Sequence, residues 1–453
     1  MSAAATVQSP GNLYAEHVNP QWVRLLNLLQ MNERYERCAG AELFTAGGRR
    51  ILDFLSGYCV HNAGHNHPAI VGAVREELDR GGPGMLQSHV PELAAELAAR
   101  LVARAGGRLK RVYFSSSGSE GVEAAIKFSR AATGRPGLLY AEGAFHGLTC
   151  GALSLMSDGF WRDGFGPLLA DTAAVPFGSI EALEKRLATR RYAAFIVEPV
   201  QSEAGIKVPA PDYLRSAQML CRRYGTLFVL DEVQTGMYRT GPFLAAHHFG
   251  LDPDMVVLAK ALSGGLIPVG ALLSSEAVSS AVFSSLKRSI IHASTFGENS
   301  LAMRAGLATL EVLERERLGE RAASMGAWFR RRLSEALSPF EMVKEVRGAG
   351  LLSGIEFQAP RQLRLRAAFE AFRRIHPGMF GQVMVMRLFR DRNILTQICG
   401  NNFMVLKAAP PLVAGEEQLD EFVTALRDVV ELAHSSAGFW SEALGLARRA
   451  INI

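Results

Sequence analysis

At 453 residues, with 48% hydrophobic and 21% charged residues, the chain has the make-up of an ordinary folded protein, long enough for two or three domains or one large α/β unit with a satellite. Its net charge of +5 is thinly spread: Arg330-Arg331-Arg332 and Arg373-Arg374 sit in helical patterns among acidic residues, which speaks for solvated helix faces and against nucleic-acid binding. The five cysteines (Cys38, Cys59, Cys150, Cys221, Cys399) are scattered without a CxxC pair, which argues against a disulfide framework or a zinc site and for a reducing compartment.

The chain opens on small and polar residues, Met1 to Leu13, which are expected to be disordered and lack the basic-then-apolar order of a signal peptide. No apolar run reaches the length of a membrane span. A cytoplasmic location is therefore expected. Through the middle, short apolar runs rich in β-branched and aromatic residues alternate with helical periodicity. The runs are Val112-Tyr113-Phe114, Leu138-Leu139-Tyr140, Ala194 to Val197, Leu227 to Leu230 and Met255 to Leu258; the helical stretches include Val122 to Ala132 and Tyr213 to Tyr224. That order predicts a mainly parallel sheet with helices on both faces. From about Phe340 the pattern shifts to Val-Arg-Gly-Ala-Gly, an apolar run from Leu351 to Phe357, helices, and a short strand near Phe403 to Leu406, which reads as a separate α+β domain. The expected division is 1–75 as an N-terminal segment contributing to the small domain and dimer contacts, 76–338 as the large domain, and 339–453 as the C-terminal small domain.

In a parallel sheet covered by helices, ligands gather beyond the carboxyl ends of the strands, so the residues that follow each run carry the chemistry. After Val112-Tyr113-Phe114 comes Ser115-Ser116-Ser117-Gly118-Ser119-Glu120-Gly121, leading into a helix. Hydroxyls, glycine and unpaired N–H groups at a helix start make a phosphate cradle; the plainer alternative is a capped helix, because Ser117 and Glu120 have capping-box spacing. After Leu227 to Leu230 comes Asp231, a carboxylate that burial penalises unless it is paired, for instance with a protonated pyridine nitrogen or in a structural salt bridge. After Met255 to Ala259 comes Lys260. Desolvation lowers the pKa of a buried lysine and so favours the free amine that Schiff-base formation needs, although a lysine at a strand end can equally snorkel to water. Phe145-His146-Gly147 offers a ring that could stack on a flat heteroaromatic group or simply pack in the core.

Phosphate cradle, stacking ring, pyridine carboxylate and amine together are what pyridoxal 5'-phosphate (PLP) requires. At this point the chain resembles the class III (ornithine/GABA-type) aminotransferases of the fold-type I PLP family over nearly its whole length. The matching segments run in the family's order: Asp53 to Tyr58 with Gly64 to Pro68, Ser117 to Lys127, Phe145-His146-Gly147, Glu198 to Gly205, Leu230 to Gly236, Leu258 to Gly265, and Ser294 to Gly297. The resemblance implies a large domain with a seven-stranded-type, mainly parallel sheet and a smaller α+β domain built from both chain ends. It also implies roles. Gly118 and Ser119, with Ser117, would bind the phosphate, Phe145 would stack on the ring with His146 beside it, and Asp231 would pair with the pyridine nitrogen. Val233 would pack on the other ring face, Gln234 would approach the phenolic oxygen, and Lys260 would hold the cofactor and shuttle the substrate proton. Thr295 would reach the cofactor phosphate of a partner subunit, implying a homodimer with shared sites. The reaction implied is ping-pong transfer from a primary, ω-type amine to an oxo acid or aldehyde, with a PLP aminomutase as the alternative and a non-catalytic PLP-fold binding protein behind it.

Two positions depart from the family pattern. The arginine that usually follows the Phe-x-Gly triplet is here Leu148, and the arginine usually found before the C-terminal Pro-Pro-Leu is here Lys407. A lysine cannot grip a carboxylate in the bidentate, planar manner of arginine, but it can pair with Glu203 as a point charge. A weaker Glu203–Lys407 gate and a less polar pocket, with Tyr58 lining it, are expected to suit a carboxylate-poor substrate. His61, His65 and His67 belong to a loop pattern of the family, so no metal is expected there. Gly348-Ala349-Gly350 with Gly354 misses the dinucleotide spacing, and there is no Gly-x-Ser-x-Gly elbow for a hydrolase. The stretch His376 to Gly381 and the helix-like tail from Phe439 to Ile453 suggest no chemistry.

Overall fold

The computed structural model describes residues 10–451 apart from Gln87 and 376–378, so His376, Pro377 and Gly378 lie outside the described residues. Seven strands form the central sheet in the order Leu109–Ser115, Gly270–Ser275, Met255–Leu258, Leu227–Asp231, Tyr192–Val197, Gly137–Ala141, Thr172–Val175. All neighbours run parallel except Gly270–Ser275, which is antiparallel to both strands flanking it. The innermost strands, Tyr192–Val197, Leu227–Asp231 and Met255–Leu258, are almost wholly buried. Their unbroken apolar sequences follow from that, since helices cover both faces and no side of the strand meets water.

Helix Gly118–Thr133 shows how local sequence sets an element. Ser117 takes the N-cap position in extended geometry and its Oγ accepts the Glu120 N–H at 3.2 Å; Glu120 Oε2 in turn accepts the Ser116 N–H at 2.8 Å. The expected capping box is thus present, displaced by one residue at its return bond. Gly134, in the left-handed region at φ 67°, ends the helix.

Two smaller sheets flank the first. One joins the chain ends: Tyr35–Ala39, Glu42–Thr45 and Arg50–Asp53 pair antiparallel, and Ile394–Leu395 adds parallel to Arg50–Asp53. The other is Val343–Ala349, Leu352–Phe357, Asn402–Ala408 and Gln397–Cys399. The expected disorder of the N-terminus does not hold up to Leu13, because Pro10–His17 is helical; Met1 to Ser9 lie outside the described residues. The tail forms helix Ala437–Ile451 and packs on the body, with Trp440 stacked on Phe380 (6.1 Å, 21°) and Glu442 paired with Arg387 and Arg390.

Phe54, fully buried, stacks on Phe422 at 4.2 Å and tilts against Phe329 at 6.0 Å, tying the N-terminal segment to helices Glu416–Ser435 and Leu318–Leu337. Phe54→Ala should therefore cost about 3–5 kcal/mol of stability through the cavity it leaves, readable as a shifted denaturant midpoint with an unchanged slope. A midpoint within measurement error of the wild type would show that the aromatic cluster does not hold the segment in place.

Candidate active site

The strand ends converge on a cavity of about 400 Å³ lined by Ser117, Gly118, Ser119, Phe145, His146, Asp231, Val233, Gln234 and Lys260. Nine residues anticipated from sequence therefore meet in one place. The helix start of Gly118–Thr133 supplies one wall, and a helix start leaves N–H groups without intrahelical partners. A Cβ on Gly118 would come within 2.9 Å of Val233 Cγ2, so glycine is what keeps this wall clear. Gly147, at φ 124°, leaves no room for a Cβ against the Ser119 side chain, and the Ser119 Oγ accepts the Leu148 N–H at 3.3 Å.

Asp231 ends its strand only 5% exposed. Its Oδ1 accepts the Val233 N–H at 3.1 Å, and its Oδ2 lies 2.8 Å from His146 Nδ1. The carboxylate is thus held from two sides. His146 stands behind Asp231, with its Nε2 buried and without a hydrogen-bond partner among the described residues. The Lys260 backbone sits in the left-handed region at φ 46°, at the start of a short 3-10 turn, Lys260–Ser263. A non-glycine residue there carries strain of the sort found where a side chain must be aimed. Burial pulls the Lys260 amine below its usual range, and the charges of Asp231 and Glu203 only partly restore it.

Glu198 has no role in the sequence reading beyond opening the Glu198 to Gly205 segment, yet it lines the same cavity and accepts the Phe145 N–H at 3.4 Å through Oε2. Burial, and then the neighbouring Asp231, push its carboxyl well above the usual range. The signal for it is present in the sequence, because Glu198 follows the buried run ending at Val197 just as Asp231 follows Leu230.

At the cavity wall, Gln234 Nε2 donates to Glu203 Oε1 at 3.1 Å, while Gln234 Oε1 is buried and unpartnered among the described residues. Glu203 Oε1 also meets Lys407 Nζ, and Oε2 accepts the Gly400 N–H at 2.8 Å. Lys407 is fully buried and Glu203 only 6% exposed. Burial opposes both charges, but each partner's field overrides it: the Glu203 carboxyl is lowered and the Lys407 ammonium raised. The Tyr58 ring covers Lys407 Nζ at 5.0 Å from a left-handed turn in which Ser56, Gly57, Tyr58 and Cys59 all have positive φ. Asp53 Oδ1 anchors that turn by accepting the Leu55 and Ser56 N–H groups at 2.9 and 2.8 Å.

Leu148 and Thr295 do not line this cavity: Leu148 is 54% exposed, and Thr295 faces a second cavity with Met85, Val90 and Ile290. In the histidine loop His65 bonds to Asp53 at 2.7 Å and His67 to Glu316 at 3.0 Å, while His61 stacks on His65 at 3.8 Å with its buried Nδ1 unpartnered among the described residues.

The residues fit PLP. The helix start suits a phosphate, Asp231 a protonated ring nitrogen, Lys260 an aldehyde carbon, and the unpartnered Gln234 Oε1 a polar ring substituent. The comparisons with known proteins agree. The family model for aminotransferase class-III matches residues 27–430. The chain is 37% identical to aminotransferase PigE of Serratia sp. (strain ATCC 39006), over 92% of this chain and 53% of that protein, so it spans about half the length of that relative. It is 36% identical to putrescine aminotransferase of Pectobacterium atrosepticum, covering 94% of this chain and 90% of the relative. Among solved structures, an ornithine aminotransferase of Toxoplasma gondii with PLP partially occupying its active site superposes with a TM-score of 0.79 at 28% identity, covering 89% of this chain and 90% of that one. The chain thus belongs to the class-III aminotransferases, enzymes whose cofactor is pyridoxal 5'-phosphate.

Proposed function

We propose that this chain transfers the amino group of a primary ω-amine, of the diamine class, to an oxo acid or aldehyde by a ping-pong route. The observation that carries the substrate reading is the closed Glu203–Lys407 pair under Tyr58. The cation placed to receive a substrate carboxylate is already neutralised and covered, and Leu148 stands where the family usually has a second arginine. The putrescine-directed name of one relative points the same way.

When bound, PLP supplies the electron sink that accommodates charge released at the substrate carbon. The chain's residues do the rest. Asp231, fixed by His146 and the Val233 N–H, keeps a negative charge where the ring nitrogen would lie. Lys260 Nζ, its basicity reduced by burial, takes up and returns the proton at the reacting carbon. Phe145 and Val233 hold the ring from opposite faces, and Ser117, Gly118 and Ser119 receive the phosphate. Glu203 releases Lys407 only when a carboxylate-bearing acceptor replaces it.

The measurement is steady-state turnover of aliphatic diamines, monoamines and glutamate against pyruvate, 2-oxoglutarate and aliphatic aldehydes. Diamines should lead as donors. Lys407→Arg should raise kcat/KM toward 2-oxoglutarate about tenfold, because a planar fork binds a carboxylate at two points. Should glutamate with 2-oxoglutarate outperform every other pair while Lys407→Arg brings no gain, the substrate reading fails.

The division at 1–75, 76–338 and 339–453 belongs to this reading, as does a homodimer in which Thr295 completes the partner's phosphate site. The exposed Met85, Leu86, Val90 and Ile290 around the second cavity support the dimer. A sedimentation mass of a single chain at micromolar concentration would refute it. Among the described residues no helix is long and apolar enough to cross a membrane; with five unpaired cysteines, a cytoplasmic location is the reading adopted.

A further inference from the structure

The turn between strands Gln397–Cys399 and Asn402–Ala408 touches both halves of the site. The Asn401 N–H donates to the Glu203 carbonyl at 2.9 Å, one residue after the Gly400 N–H has donated to the Glu203 carboxylate. The Asn401 side chain turns the other way. Its Nδ2 donates to the carbonyls of Gly143 and Ala144 at 2.9 and 3.3 Å, and its Oδ1 accepts the Trp161 indole N–H at 2.8 Å. That orientation of the amide is the one that avoids carbonyl facing carbonyl, and it uses both donors and the acceptor.

Gly143 and Ala144 lead directly into Phe145, and the Trp161 ring meets the Phe145 ring edge-on at 5.4 Å and 80°. The backbone before Phe145 and the Phe145 ring are thus both contacted by groups bonded to Asn401. A Cβ at Gly400 would lie 3.2 Å from Glu203 Oε2 and 3.2 Å from the Trp161 ring, so the turn is seated closely between the two.

We propose that Asn401 is a positioning residue that couples the ring of Phe145, at the cofactor face, to the Glu203–Lys407 pair at the substrate end. It touches neither reacting atoms nor cofactor; it acts through Phe145 and Glu203. The inference rests on the PLP reading of this cavity. The coupling it describes is between two steps of one cycle: the turn that holds the ring for the cofactor is the turn that fixes the carboxylate which must release Lys407 for an acidic acceptor.

The test compares wild type, Asn401→Ala, Trp161→Phe and the double variant for cofactor dissociation constant, Michaelis constant for each substrate, kcat and thermal midpoint. Asn401→Ala should weaken PLP binding on the order of tenfold, the effect of losing two or three neutral hydrogen bonds. It should also change the Michaelis constant for the acceptor 2-oxoglutarate by at least about threefold, with kcat at saturation kept within about threefold. Trp161→Phe removes one N–H and keeps the ring, so it serves if the alanine variant does not fold; it should reproduce part of the cofactor effect. In the double variant the two losses should be less than additive, because they share one hydrogen bond. Cofactor binding and Michaelis constants both within about twofold of wild type in a folded Asn401→Ala or Trp161→Phe protein would overturn the proposal. So would a lowered thermal midpoint with neither quantity changed. A wild-type protein that takes up no PLP would instead overturn the functional reading itself.

Discussion

Lys260→Ala should lower kcat by at least about 10⁴-fold, which corresponds to about 5 kcal/mol of barrier. The variant should still take up the cofactor, since the helix start at Gly118 and the Asp231 carboxylate are unchanged. Borohydride should then fix the cofactor to the wild type, with the label on the peptide containing Lys260, and leave the variant unlabelled. The size of the effect follows from where Lys260 sits. The structure holds its backbone at φ 46°, a conformation that costs a non-glycine residue about 1–2 kcal/mol, and lowers its amine by burial. Both features serve a side chain aimed at a fixed point as a free base. Lys260→Arg is the sharper control: arginine keeps a cation of similar length but stays protonated, so it should be as inactive as alanine. An added small primary amine should recover part of the activity of Lys260→Ala and none of Lys260→Arg, in which the guanidinium fills the space. Turnover within about tenfold of wild type in Lys260→Ala would remove this lysine from the chemistry.

The reason so much of this site could be read from sequence is topological. In a parallel sheet every strand delivers its carboxyl end to the same edge, so an apolar run followed by a polar residue marks a site position without any knowledge of the fold's details. Asp231, Lys260 and the serine segment after Phe114 were legible for that reason. Glu198 obeys the same rule, following the buried strand that ends at Val197. The left-handed turn from Ser56 to Cys59 and the Asn401 contacts were not legible. They depend on segments hundreds of residues apart in the chain, such as the Ser56 hydroxyl on the Ala409 carbonyl at 2.7 Å and Trp161 on Asn401. Neither periodicity nor spacing encodes such contacts. The Glu203–Lys407 pair lies between these cases: its members could be named from sequence, but its closed and buried state needed the structure.

Asp231→Ala should lower kcat by about 10³-fold, about 4 kcal/mol, with an effect on substrate binding much smaller than this. Asp231 is 5% exposed and bonded to His146 Nδ1 and the Val233 N–H, so its charge does not need to be oriented when the reaction begins; that is the condition under which a fixed charge contributes most. A carboxylate there would keep the ring nitrogen protonated, and a protonated ring accepts electron density better, so its loss should act on kcat rather than on binding. Asp231→Asn separates the charge from the shape. The amide keeps the size and one acceptor, so it should bind the cofactor nearly as the wild type does and yet lose most of the rate. Asp231→Glu should recover part of it, limited by the extra methylene in a packed site. His146 supplies an independent readout. A hydrogen bond to a carboxylate is shorter and stronger than one to a neutral amide, so the proton resonance of the His146 ring N–H facing residue 231 should move upfield in Asp231→Asn. Equal kcat in the wild type and Asp231→Asn would mean that the ring nitrogen works without a proton, and that Asp231 serves the fold rather than the reaction.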